Sequence, residues 1–128
     1  MKVLIDTHVL LWIVSGSDKL TEIAREVFLD PENDLYFSVA GYWELCIKVA
    51  LGKLRLAENW PDTLKTEFRR NGILWLPVLP KHCESILPLP WIHRDPFDRL
   101  LIAQAKSENC ALLTADANIH QYDVHTIW

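Results

Sequence analysis

Apolar positions along this chain alternate between two spacings. Lys2-Val3-Leu4-Ile5 is a short β-branched-rich run ending at Asp6, the pattern of a buried strand. A helical stretch follows from His8 to about Val14, then a loop from Ser15 to Asp18. "TEIAREVFLD" has helical spacing at Ile23, Val27 and Phe28, and Asp30 to Asp34 is a turn. "LYFSV" predicts a second strand. "AGYWELCIKVALGKL" predicts a helix with Trp43, Ile47, Ala50 and Leu51 on its packing face and Gly52 at its C-terminal end. "NWPDTLKTEFRRNG" predicts another helix, with Pro61 near its start and Gly72 just past its end. "ILWLPV" is a third strand, and "KHCESILPLP" is at most a short helix, closed by Pro88 and Pro90. "DPFDRLLIAQAKSEN" is a strong helix, "CALLTAD" a fourth strand ending at Asp116, and "DVHTIW" a short final strand. Strands and helices alternate with short connections and no internal repeat. That predicts an α/β sandwich around a mainly parallel sheet.

Composition narrows the function. A chain of 128 residues, half of them hydrophobic, is expected to form one domain over residues 1–128 with an ample core. Its six tryptophans are expected mostly in that core, Trp12 and Trp43 having helical spacing with aliphatic neighbours. Thirteen basic against 17 acidic residues give a formal net charge of -4. Coating nucleic acid by bulk charge is therefore excluded; contact needs a local basic patch or metal ions that turn acids into a phosphate site. Cys46, Cys83 and Cys110 are odd in number and far apart, which argues against a disulfide framework or a zinc site and fits a reducing cytoplasm. The opening stretch superficially suits a signal peptide, but Asp6 and His8 interrupt it. No segment is long and apolar enough to span a bilayer, so no membrane is expected.

Sites in open parallel sheets form at the carboxyl ends of the strands. Asp6 ends strand one and Asp116 ends strand four. The helix beginning near Asp95 runs back along the sheet, so Asp98 in its first turn reaches the same rim. The helix carrying Glu44 follows strand two, and its early turns lie there as well. Four carboxylates distant in sequence thus converge. Ionising them together is costly, and a hard divalent cation is the usual resolution. Such a site binds phosphate oxygens and activates water, which points to phosphodiester hydrolysis. Each acid alone also has an ordinary structural role. Asp6 can cap a helix, Asp116 can serve a turn, and Glu44 can pair with Lys48 at i+4. Convergence favours the site.

Asp95 and Asp98 separate on local rules. Asp95 precedes Pro96, which disfavours helical geometry at Asp95 and suits the first helical position itself. Asp95 is then the cap and Asp98 the N3 residue, on the face of Leu101, Ile102 and Ala105.

"VLIDTHVLLW", "SVAGYWELCIKVALGKL", "HRDPFDRLLIAQA" and "LLTADANI" together resemble PIN-domain ribonucleases, most nearly the VapC-type toxins of bacterial toxin–antitoxin pairs. The resemblance runs over nearly the whole chain. It implies a three-layer α/β/α domain with a five-stranded sheet, and cleavage of RNA dependent on Mg²⁺ or Mn²⁺. It places the acidic quartet on Asp6, Glu44, Asp98 and Asp116, as catalytic residues and metal ligands. Thr114 matches a hydroxyl residue that orients a metal-bound water, and Asp95 a supporting position. Implied partners are an RNA substrate, a cognate antitoxin protein and a second copy in a homodimer. One departure is Gly41, where relatives often carry serine; a lost hydroxyl would weaken support for Glu44.

Lys48, Arg94 and Arg99 are the expected RNA-backbone contacts, while Lys53 and Arg55 are read as solvated surface. His8 and His93 are expected as hydrogen-bond partners or phosphate contacts rather than the main general base. A phosphoacceptor receiver domain would need an acid ending the third strand and a lysine near the last, and neither is present. A phosphatase with a nucleophilic aspartate would want a second acid where His8 stands. An inactive PIN-like module that only binds RNA or protein is the remaining rival, and the intact quartet argues against it.

Overall fold

A computed structural model describes all residues, Met1–Trp128. Five parallel strands form one sheet in the order β3-β2-β1-β4-β5. They are β1 (Lys2–Ile5), β2 (Asp34–Ser38), β3 (Leu74–Leu76), β4 (Ala111–Leu113) and β5 (Thr126–Ile127). Six helices connect them: α1 (Thr7–Ser15), α2 (Glu22–Leu29), α3 (Val39–Ala50), α4 (Trp60–Asn71), α5 (Pro80–Glu84) and α6 (Pro96–Ser107). The expected α/β/α architecture is present, and the sheet is parallel throughout.

The two-residue period of β1 sorts the core. Val3 and Ile5 face a cluster that includes Val9, Leu10, Phe37, Leu45, Leu64 and Phe68. Leu4 faces the opposite cluster, with Leu101, Ile102, Leu112 and Ile119. Local signals set the helix ends. Thr21 caps α2 by accepting the Ala24 amide at 3.1 Å. Gly52 and Gly72 follow α3 and α4 in the left-handed region, at φ +70° and +66°, where a side chain would be strained. α1 and α3 begin directly after β1 and β2, and α6 runs back into β4. All three helix N-termini therefore stand at the carboxyl edge of the sheet.

Three expectations change. β4 stops at Leu113, short of Asp116, because the chain turns there: Asp116 accepts the Asn118 amide at 2.8 Å and the Asp116 amide is taken by Thr114. The buried face of α3 is Ala40, Gly41, Glu44 and Leu45, not the face of Trp43, Ile47 and Leu51. Trp43 and Leu51 are 60% and 64% exposed. None of the tryptophans is fully buried, and Trp91 lies on the surface.

Gly41 has a steric explanation. A Cβ there would sit 2.9 Å from both the Phe37 ring and the Thr7 hydroxyl. Phe37 is fully buried and packs edge-on against Phe68, so it has no room to retreat. We expect Gly41→Ser to destabilise by about 1–2 kcal/mol, since overpacking costs more than the roughly 0.5 kcal/mol gained in helix propensity. Chemical denaturation checks this; an unchanged or raised midpoint would contradict it.

Candidate active site

Asp6 leaves β1 still hydrogen-bonded to the sheet, its amide donating to Leu113 O at 3.0 Å. It occupies the N-cap position of α1, yet its side chain makes no capping bond. It accepts the Thr114 hydroxyl at 2.7 Å instead. Thr114 is fully buried, and its oxygen also accepts the Asp116 amide at 3.1 Å. One hydroxyl thus ties the acid after β1 to the turn after β4. That single proton is committed to Asp6, so Thr114 supports the acid directly in the metal-free protein.

Glu44 lies on the buried face of α3 and pairs with Lys48 at 3.2 Å. Asp98, in the first turn of α6, meets His93 Nε2 at 2.9 Å, and the same nitrogen meets Asp116 at 3.2 Å. Asp95 is the cap of α6, accepting the amides of Phe97 at 2.8 Å and Asp98 at 3.4 Å. All four acids of the quartet, with Asp95, Lys48 and His8, line one open cleft of about 280 Å³ at the carboxyl edge. Larger hollows exist; one at the opposite edge, lined by Met1, Lys106, Cys110 and His125, gathers no comparable set of acids.

The electrostatics follow from this crowding. Burial is the main cause that raises the pKa of Asp6, opposed by the Thr114 hydroxyl and His8. Asp98 is raised to about 7, first by burial and then by the charges of Asp95 and Asp6, with His93 pulling the other way. Asp95 therefore does more than cap: its charge resists the ionisation of Asp98. An all-oxygen donor set, half-desolvated and mutually repelling, fits a hard divalent cation.

His93 was not among the expected acids, but it bridges two of them. Its Nδ1 accepts the Asp95 amide at 3.2 Å, which leaves its N–H on Nε2, pointing at both carboxylates. Although His93, Asp98 and Asp116 bring ligand atoms within 4.8 Å of one another, this tautomer makes His93 a donor and not a ligand. The His-x-Asp-Pro spacing carries the local half of this signal. The position of the acid after β4 carries the other half, and is visible only in the fold.

The basic residues divide. Lys48 and Arg94 line a second groove beside the cleft, together with Phe97, and that groove shares Glu44, Lys48 and Asp95 with it. Arg94 is exposed and makes no ion pair. Arg99 corrects the sequence reading. It is only 3% exposed, and its guanidinium donates to the carbonyls of Ile86, Leu89 and Pro90 and to the Tyr122 hydroxyl. Trp91 covers it at 4.0 Å. It is unavailable to an RNA backbone because the segment before α6 consumes its donors.

Residues 3–124 match the PIN domain family model, and the chain belongs to that family, whose members are generally nucleases. No curated protein matches the chain significantly. Among solved structures, a chain of VapBC2 from Rickettsia felis, solved bound to a DNA fragment from its promoter, matches with a TM-score of 0.74 at 15% identity. The match covers 99% of this chain and 98% of that one. A chain of VapBC-1 from nontypeable Haemophilus influenzae matches at 0.72 and 22% identity, covering 99% and 97%. A chain of FitAcB from Neisseria gonorrhoeae matches at 0.56 and 17%, covering 98% and 96%. At these identities the likeness establishes a shared fold. No helix is long and apolar enough to cross a membrane.

Proposed function

We propose that this chain is a metal-dependent ribonuclease and the toxin of a toxin–antitoxin pair. The observation that carries the nuclease reading is the cleft itself: four carboxylates from four parts of the chain at one rim, two of which, Asp6 and Asp98, are buried enough to resist ionisation. Asp6, Asp98 and Asp116 are assigned as ligands of Mg²⁺ or Mn²⁺, with Glu44 as a ligand directly or through water. Bound there, the ion supplies phosphate polarisation and a lowered pKa for the attacking water.

The chain's own residues prepare that site. Thr114 and the Asp95 cap hold Asp6 and the first turn of α6 in place. His93 spans Asp98 and Asp116 with its N–H, so it is set to turn that donor to a phosphate oxygen once a cation takes the carboxylates. Lys48 and Arg94 stand along the adjoining groove, where they receive the phosphates flanking the cut. The choice of RNA over DNA rests on the family resemblance, and the antitoxin on that resemblance together with the shared fold of the VapBC chains. Exposed Val39, Trp43 and Leu51, with Ile47, make an apolar ridge along α3 at four-residue intervals. We assign its Val39–Trp43 end to protein contact, a second copy in a homodimer, because such surfaces are seldom left to water. Ile47 and Leu51 line the groove of Lys48 and Arg94 and stay with it.

The test is cleavage of labelled RNA and of DNA of matching sequence, with Mn²⁺ or Mg²⁺ and with EDTA. Cleavage of RNA alone, in metal alone, is expected. Because a cation must displace the proton that Asp98 holds up to about pH 7, metal-supported cleavage should climb between roughly pH 6 and pH 8 and level off above. Cleavage that persists in EDTA would refute the metal reading. RNA bound but never cut, in any metal, would favour the inactive module.

A further inference from the structure

α6 carries Asp98 and α3 carries Glu44, and the two helices pack directly against each other. Beneath the cleft they are joined by a buried polar bond. Ser38, the cap of α3, is fully buried and its hydroxyl donates to Gln104 Oε1 at 2.6 Å. The direction is fixed at the far end of the glutamine, because Pro77 O can only accept and so takes the amide nitrogen, which turns Oε1 to the Ser38 hydroxyl. The Ser38 oxygen itself accepts the Ala40 amide at 3.1 Å. The Gln104 amide nitrogen is then left for Pro77 O at 3.2 Å and His82 Nδ1 at 3.4 Å. His82 Nδ1 is an acceptor, since it also takes the Leu79 amide at 3.0 Å, and its Nε2 reaches Glu108 at 2.8 Å. Every buried side-chain polar atom is partnered.

Such a network is costly to bury half-made and specifies one arrangement when complete. A leucine or methionine would fill the place of Gln104 without demanding a partner. The glutamine instead demands that the start of α3, the turn after β3 and the middle of α6 stand in one mutual register. Ser38 lies six residues before Glu44, and Gln104 six residues after Asp98.

We propose that Gln104 is a positioning residue: by holding Ser38 it fixes α3 against α6 and so sets the spacing of Glu44 and Asp98 across the cleft. The inference rests on the metal reading of that cleft. Neither residue lines the cleft, so any effect on metal binding must pass through helix placement.

The experiment is calorimetric titration of the metal-free protein with Mn²⁺ alone, at a temperature where circular dichroism shows each variant folded. Gln104→Met and Ser38→Ala should weaken Mn²⁺ binding about tenfold, the scale typical when support behind metal ligands is lost. Ser38→Thr keeps the hydroxyl and should bind as the wild type does. Ile102→Val trims a fully buried side chain of α6 and serves as the control for lost stability. It should lower the melting temperature and leave Mn²⁺ binding unchanged. Gln104→Met with wild-type affinity would overturn the inference while leaving the metal reading intact. A wild type that takes up no Mn²⁺ would overturn the metal reading first and this inference with it. If Gln104→Met does not fold, the Ser38→Ala and Ser38→Thr pair decides the same question.

Discussion

Asp98→Asn is expected to stop metal-supported cleavage while leaving the metal-free protein at least as stable as the wild type. Loss of one charged ligand removes several kcal/mol of interaction with the ion; at about 4 kcal/mol the rate falls roughly a thousandfold. Stability moves the other way. The pKa of Asp98 is raised to about 7 in the folded chain, so its ionisation opposes folding: stability is full below the ordinary carboxylate pKa and is lost as pH rises towards 7. Asparagine removes that penalty, and its oxygen still accepts the His93 N–H. The denaturation midpoint of Asp98→Asn at about pH 8, without metal, should therefore equal or exceed the wild type's. Asp95→Asn is the companion. Asparagine caps helices as well as aspartate, so most cleavage should survive. Equal loss from both substitutions would show that the Asp95 charge, and not only its capping bonds, is needed.

That contrast between neighbouring aspartates was legible in the chain, because it depends on Pro96 and on rules that act within one turn. The carboxyl-edge placement of Asp6, Glu44, Asp98 and Asp116 was legible too, since an alternating strand–helix order leaves few ways to connect a parallel sheet. The inner face of α3 was not. Counting large apolar residues selected Trp43, Ile47 and Leu51, whereas the helix turns Ala40 and Gly41 inward so that it can approach Phe37 and Thr7. Small residues carry little hydrophobic signal but permit close packing, and Glu44 is buried on their face. His93 was expected as a hydrogen-bond partner, but the bridge it makes between Asp98 and Asp116 was not legible, for a different reason. It depends on the path of the segment before α6, whose backbone has no regular structure and no period to read.

Arg99 governs that path, and Arg99→Ala should be the most damaging single change outside the acids. The side chain closes four hydrogen bonds, three of them to carbonyls of the Ile86–Pro90 stretch. Each acceptor left dry costs about 1–3 kcal/mol, so a net loss of about 3–4 kcal/mol is expected after partial hydration. For a chain of this size that corresponds to roughly 10 °C or more in melting temperature. Arg99→Lys keeps the charge but has no planar fork to reach four acceptors, and should fall between the two. A functional consequence follows through Tyr122, whose hydroxyl accepts from both Arg99 at 3.2 Å and the His93 amide at 2.8 Å. Without Arg99 the bridge over Asp98 and Asp116 loses its anchor, so the His93 ring resonances should shift in the metal-free protein well below its melting temperature. If Arg99 instead contacted RNA from the surface, Arg99→Ala would leave stability unchanged and weaken RNA binding alone, and that outcome would reverse the assignment.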